Sequence, residues 1–136
     1  MATIRKEIMI EAPADLVWDA VRDVGAVHSR LVPGFVVDTT LENDVRVVTF
    51  ASGIVLREII VTLDDDARRL AYTSVGSRAT HHNASIEVLE GGPGESRLVW
   101  TTDVLPAELA PFVQGQVDAS SAIMKSTMEE VSAIRR

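Results

Sequence analysis

The stretch VLREIIVTLDDDARRLAYTSVG runs from Val55 to Gly76 and reads as two strands joined by an acidic turn. Residues 54–63 and 68–75 are dense in Val, Ile, Leu, Thr and Tyr, the residue types that suit a pleated sheet. The join DDDA is short and Asp-rich, so an antiparallel hairpin is the natural reading. The aspartates at 64–66 are turn chemistry, because an Asp side chain accepts hydrogen bonds from backbone N–H groups close behind it. Glu58 breaks the pattern, set among Leu56, Ile59, Ile60 and Val61. It is either a surface charge on an exposed face or a carboxylate pointing into a cavity, and much of the functional reading turns on which.

Further hairpins flank this one. Residues 35–41 and 45–50 are joined by ENDV, and 81–89 and 96–105 by EGGPGE. Upstream, residues 3–11 alternate as a strand with Ile4, Ile8 and Ile10 on one face. Pro13 suits the first position of a helix over 13–23, where Val17, Ala20, Val21 and Val24 recur at helical spacing. A second short helix is expected over 24–31, stopping before Pro33-Gly34. Pro106 closes the last strand. The remainder, 107–134, carries a broad apolar stripe that includes Val113, Val117 and Met124, and reads as one long helix, bent or restarted at Pro111. In this order the sheet must curl around the final helix to bury its inner face. The expected fold class is therefore α+β: a helix-grip fold, with a curved antiparallel sheet of about seven strands around a long C-terminal helix. Residues 1–136 are read as one domain, with room for a cavity between sheet and helix.

Composition narrows the function classes. A chain of 136 residues with 46% hydrophobic side chains can bury a core of ordinary size. No apolar run approaches the ~20 residues that span a bilayer, so stable membrane insertion is not expected. The N-terminal MATIRKEIMIEAP alternates polar and apolar residues and lacks a signal-peptide core, which predicts a cytoplasmic protein. The absence of cysteine excludes disulfides, thiolate metal sites and a cysteine nucleophile. A net charge of −7 repels phosphate backbones, and Arg68-Arg69 and Arg135-Arg136 are too small to form a basic face, so no nucleic-acid partner is expected. His28, His81 and His82 form no metal motif, since adjacent histidines on a strand face opposite ways. EGGPGE opens no helix and is not a phosphate loop, and no G-x-S-x-G elbow occurs. Neither a metal nor a cofactor is expected.

IEAPADLVWDAVRD resembles the opening of START-like (SRPBCC) proteins, the polyketide cyclase/dehydrase and lipid-transport group with a Bet v 1-like fold. GIVLREIIVTLDDDARRLAY is similar to their central hairpin, SRLVWTTDVLP to their last strand, and the long C-terminal helix completes the likeness over nearly the whole chain. The resemblance implies a pocket for a hydrophobic ligand between sheet and helix, in a fold class where homodimers are common. It does not fix the ligand, because fold does not fix function. A more distant similarity is to plant abscisic acid receptors, on Arg46, Ser52-Gly53, Glu58 and Asp64-Asp65 in that order. In those receptors the Glu faces the ligand. ASGIV here is shorter than their gate loop and lacks its proline, and no basic residue matches the one that pairs their ligand's carboxylate.

Strand alternation gives an independent test of which residues face inward. Pairing His82, Ala84, Ile86 and Val88 against Val104, Thr102, Trp100 and Leu98 places one apolar set on the inner face. The central hairpin is ambiguous. Leu56, Glu58, Ile60, Thr62, Ala71, Thr73 and Val75 make one face; Val55, Arg57, Ile59, Val61, Leu63, Leu70 and Tyr72 make the other. Burial alone puts Glu58 outside and Arg57 inside, whereas the family resemblance implies the reverse, with Ala71, Thr73 and Ala84 leaving space beside Glu58. The ligand-facing candidates are accordingly Val48, Phe50, Leu56, Ile60, Thr73, Ala84, Ile86, Leu98, Trp100, Phe112 and Ser120, with Glu58, His82 and Gln116 orienting a polar end. Phe112, Gln116 and Ser120 recur every four residues along the long helix. Trp18 is read as helix packing, and Asp15, Asp19 and Asp23 as a solvated helix face. Three functions remain open: binding or transport of a hydrophobic or amphipathic small molecule, a polyketide cyclase/dehydrase-type reaction with Glu58 and His82 as acid and base, and an interaction protein whose cavity is filled by side chains.

Overall fold

The computed structural model describes residues 2–135, so Arg136 of the terminal basic pair lies outside it. Seven strands form one antiparallel sheet: β1 (Ala2–Ile10), β2 (Val36–Glu42), β3 (Val45–Phe50), β4 (Val55–Asp64), β5 (Arg69–Val75), β6 (His81–Glu90) and β7 (Ser96–Leu105). Their order across the sheet is β1-β7-β6-β5-β4-β3-β2. Helix α1 (Ala14–Arg22) follows β1, and the 26-residue α2 (Ala110–Arg135) closes the inner face of the curved sheet. The architecture is the α+β helix-grip fold.

Local chemistry sets the element ends. Pro13 is extended and precedes α1 rather than opening it, and its carbonyl accepts from the N–H groups of Leu16 and Val17 at 3.1 Å. The expected helix over 24–31 shrinks to a single wide turn, Val27–Leu31. The chain before it is pinned in a turn, where Gly25 lies so close to Leu41 that a Cβ would come within 3.3 Å of the leucine. Pro111 restarts the last helix as the sequence suggested: a tight turn at Ala107–Leu109 precedes α2. Asn43 turns β2 into β3 at φ 56°, a conformation Asn tolerates well.

The acidic turn does more than reverse the chain. Asp64 Oδ1 accepts from the backbone of Asp66 and Ala67, both at 3.0 Å. Asp65 receives the indole N–H of Trp18 at 2.9 Å and the Arg22 guanidinium at 2.7 Å. Asp15 pairs with Arg68, and Asp19 and Asp23 both pair with Arg30. The exposed acidic face of α1 thus ties that helix to the β4–β5 turn and to the turn that follows it.

The β6–β7 register is the expected one, with Ala84 opposite Thr102 and Ile86 opposite Trp100. The central hairpin is not. Glu58 is buried and faces inward, yet so do Leu70 and Tyr72, the residues that strict alternation assigned to the opposite face. A bulge resolves the contradiction. Ile60 pairs with Tyr72 and Thr62 with Ala71, so Val61 is an extra residue that switches the alternation of β4 halfway along. Ala71 and Thr73 lie on the outer face, and Ser74 is the residue opposite Glu58.

Deleting Val61, which is 65% exposed, leaves Ile60 and Thr62 in unbroken alternation against Tyr72 and Ala71. The deletion variant should unfold cooperatively, with its urea midpoint shifted by no more than about 1 kcal/mol equivalent, as for surface changes. Loss of the cooperative transition would show that the bulge is needed for folding.

Candidate functional site

A row of polar side chains crosses the inner face where apolar residues would be expected. Arg46 on β3 lies opposite Glu58 on β4, and Glu58 opposite Ser74 on β5. His82 on β6 comes one residue beyond the paired Thr73 and Asn83, which continues the row. Arg46 Nε donates to Glu58 Oε1 at 2.7 Å, with the two side chains only 6% and 9% exposed. Ser74 Oγ donates to the other carboxylate oxygen at 3.5 Å. Arg46 also donates to the carbonyl of Val24 at 3.4 Å and lies 4.8 Å from the centre of the Tyr72 ring, a cation–π distance. Glu58 is therefore both an arginine-paired carboxylate and a buried one.

Beside this row lies a cavity of about 610 Å³. β4 contributes Leu56 and Glu58, and Phe50 precedes them at the end of β3. Tyr72, His82, Trp100 and Thr102 form the floor. The N-terminal half of α2 forms the roof through Phe112, Val113, Gln116, Val117 and Ser120. The loop from Gly76 to Ala79 and the rim residues Ile54 and Val55 border it.

Of the sequence candidates, Phe50, Leu56, Glu58, His82, Trp100, Phe112, Gln116 and Ser120 line this space. Val48, Ala84, Ile86 and Leu98 face inward but belong to the solid core, and Ile60 packs against it. That part of the sheet is filled by Trp18 and Val21 of α1 and by Met124 and Met128 of α2. Thr73 points away, and its hydroxyl donates to the backbone carbonyl of His82 at 3.2 Å. Tyr72 was missed because the bulge hid its face. Sequence order alone points to Arg46; its pairing with Glu58 needs the β3–β4 register, which ASGIV leaves free.

Burial controls the protonation of the floor. It pushes the Tyr72 phenol well above its usual value, with the Glu58 charge adding and Arg46 opposing, so the hydroxyl stays neutral. The Trp100 indole N–H weakly opposes the same shift, although that contact falls outside normal hydrogen-bond geometry. His82 is held below its usual value, mainly by burial; Glu58 works against the shift and His81 adds to it. The imidazole is thus a neutral donor–acceptor at pH 7. Among the described residues no group of three or more His, Asp or Glu is placed to hold a metal ion, and no helix is long and apolar enough to cross a membrane.

Comparison with known proteins agrees with this fold. Residues 1–129 match the family model described as "Polyketide cyclase / dehydrase and lipid transport". No protein of curated function matches the sequence. Among solved structures, XoxI from Bacillus cereus superposes with a TM-score of 0.84 at 16% identity, covering 100% of this chain and 99% of that one. A protein from Thermobifida fusca gives 0.80 at 29% identity, covering 98% and 95%. Norcoclaurine synthase from Thalictrum flavum, solved with dopamine and hydroxybenzaldehyde, gives 0.76 at 18% identity, covering 99% and 88%. At such identities the first and third show a shared fold.

Two outcomes test the electrostatics. Glu58→Leu strands the Arg46 guanidinium and should cost about 3–5 kcal/mol by chemical denaturation, while the double variant with Arg46→Met should recover most of that loss. Unfolded histidine takes up its proton near pH 6.5, and folded His82 only at lower pH, so protons favour the unfolded chain. The His82 contribution is complete above about pH 6.5 and is lost as pH falls from there through the folded value. Urea midpoints of His82→Gln should fall less steeply than wild type below about pH 6.5.

Proposed function

Because the chain belongs to the polyketide cyclase / dehydrase and lipid transport family, we propose that it binds a hydrophobic or amphipathic small molecule in the cavity between sheet and α2. The cavity carries this reading. Its volume of about 610 Å³ lies within the usual range for small-molecule pockets. Apolar and aromatic groups dominate its walls, and its one deep carboxylate is already neutralised by Arg46. An occupant would leave water for Phe50, Leu56, Trp100, Phe112 and Val117, gaining roughly 25 cal/mol for each Å² of apolar surface removed. His82 and Gln116 would meet a neutral oxygen or hydroxyl on it. Open space at this position favours ligand binding over an interaction protein with a filled cavity.

A neutral environment-sensitive fluorophore, N-phenyl-1-naphthylamine, should brighten on binding and shift Trp100 emission in a Trp18→Phe background. Val117→Phe places a ring in the cavity and should weaken that binding at least about tenfold, an effect the size of one lost buried contact. Unchanged binding would place the fluorophore elsewhere, and no binding by a broad panel of aromatic and fatty molecules would sink the reading.

One observation favours a second reading, a cyclase-type reaction. His82 is a neutral imidazole facing the cavity near a carboxylate, the form a general base needs to take a proton from carbon beside a carbonyl. In that case His82→Gln should abolish turnover of a poly-β-keto substrate while leaving binding intact.

A further inference from the structure

Two charged side chains line the cavity, and they are not alike. Glu58 lies deep, held by Arg46 and Ser74. Arg78 lies at the mouth, exposed, on the loop that leaves β5 through Gly76 at φ 81°. Ten ion pairs engage arginines and lysines elsewhere among the described residues, and Arg78 is in none of them. Glu108, beside the rim residue Leu109, forms no ion pair with it either. A protein of net charge −7 repels anions in general. Among the described residues that line the cavity, this free guanidinium beside an apolar opening therefore marks the place where an anion is favoured.

We propose that Arg78 is the specificity-determining residue for an anionic amphiphile, which lies with its apolar body in the cavity and its carboxylate or phosphate at the mouth. This rests on the cavity-binding reading above. The deep floor suits it, because the Glu58 carboxylate already has its counter-ion and a second buried anion would have none. The rim suits it as well: Val55 and Phe112 are 53% and 51% exposed, and they would cover the first carbons below the head group. Arginine fits the task better than lysine, since its planar fork can meet two oxygens of one head group.

The test is displacement of N-phenyl-1-naphthylamine by two molecules with the same chain, decanoate and 1-decanol, at low ionic strength. Arg78→Gln should raise the decanoate concentration needed by about threefold, the usual scale of an exposed charge pair, and leave 1-decanol unchanged. Arg78→Glu should raise it further, and salt should erase the difference between wild type and variant. Decyl phosphate should behave as decanoate does. If the fluorophore binds and Arg78→Gln changes both displacers alike or neither, the Arg78 assignment is wrong and the cavity reading stands. If the fluorophore and both displacers fail to bind, the cavity reading falls and this one with it. Arg78-dependent pelleting with phosphatidylglycerol vesicles, without any Arg78 effect on decanoate, would instead assign the guanidinium to a membrane surface and overturn the proposal.

Discussion

The hydrogen-bonded pair of Arg46 and Glu58 is the constraint around which the rest of the inner face is arranged. A charge taken from water into a protein interior loses several kcal/mol of hydration, about as much as a whole domain's margin of stability. The pair is tolerable because it is complete. Nε meets one carboxylate oxygen, Ser74 the other, and the Tyr72 ring flanks the guanidinium. β3, β4 and β5 must therefore hold one register, since a slip by one residue would turn one partner to the outer face. The pair gives register as much as stability, and it leaves a polar floor that side chains cannot simply pack over.

The core divides accordingly. Trp18, Val21, Met124 and Met128 fill one part of the inner face, against Ile86, Val88 and Leu98. Around the other part, α2 sets the polar Gln116 and Ser120 among Phe112, Val113 and Val117, and Ser120 turns its hydroxyl back to the Gln116 carbonyl at 2.7 Å. Small and polar residues there leave space that methionines close further along the helix. The same helix thus acts as a plug at one end and a roof at the other. Asp65, gripping Trp18 and Arg22, fixes α1 over the filled part.

Much of this was legible in the sequence. Hairpin joins, prolines and the apolar stripe of the last segment carried the element order, and the alternation of His82 to Val88 against Leu98 to Val104 carried one register outright. The candidate site was half legible. Phe112, Gln116 and Ser120 declared themselves by helical spacing, and Trp100 by strand parity. Glu58 was placed correctly only through family resemblance, because local hydrophobicity pointed the other way. Tyr72 and Thr73 were exchanged for a definite reason: a bulge adds a residue without adding a turn signal, and Val61 looks like any other strand valine. Ile86 and Leu98 show a different limit. Alternation says that a residue faces inward, and only the position of α1 and α2 says whether it meets a void or a neighbour.

The bulge has a consequence for how this strand can change. Before it, even-numbered positions of β4 address the interior: Leu56, Glu58 and Ile60. Beyond it the parity inverts, and Leu63 stands opposite the buried Leu70. Val61 is thus a spare residue between two reading frames. A lineage could lose it and keep both halves of the strand in phase with β5. By contrast, a single-residue gain in the regular stretch beside Glu58 would put every later contact out of step. Length variation in relatives of this protein should accordingly collect at that one valine, a scar in the alignment that marks where the β4–β5 register shifts.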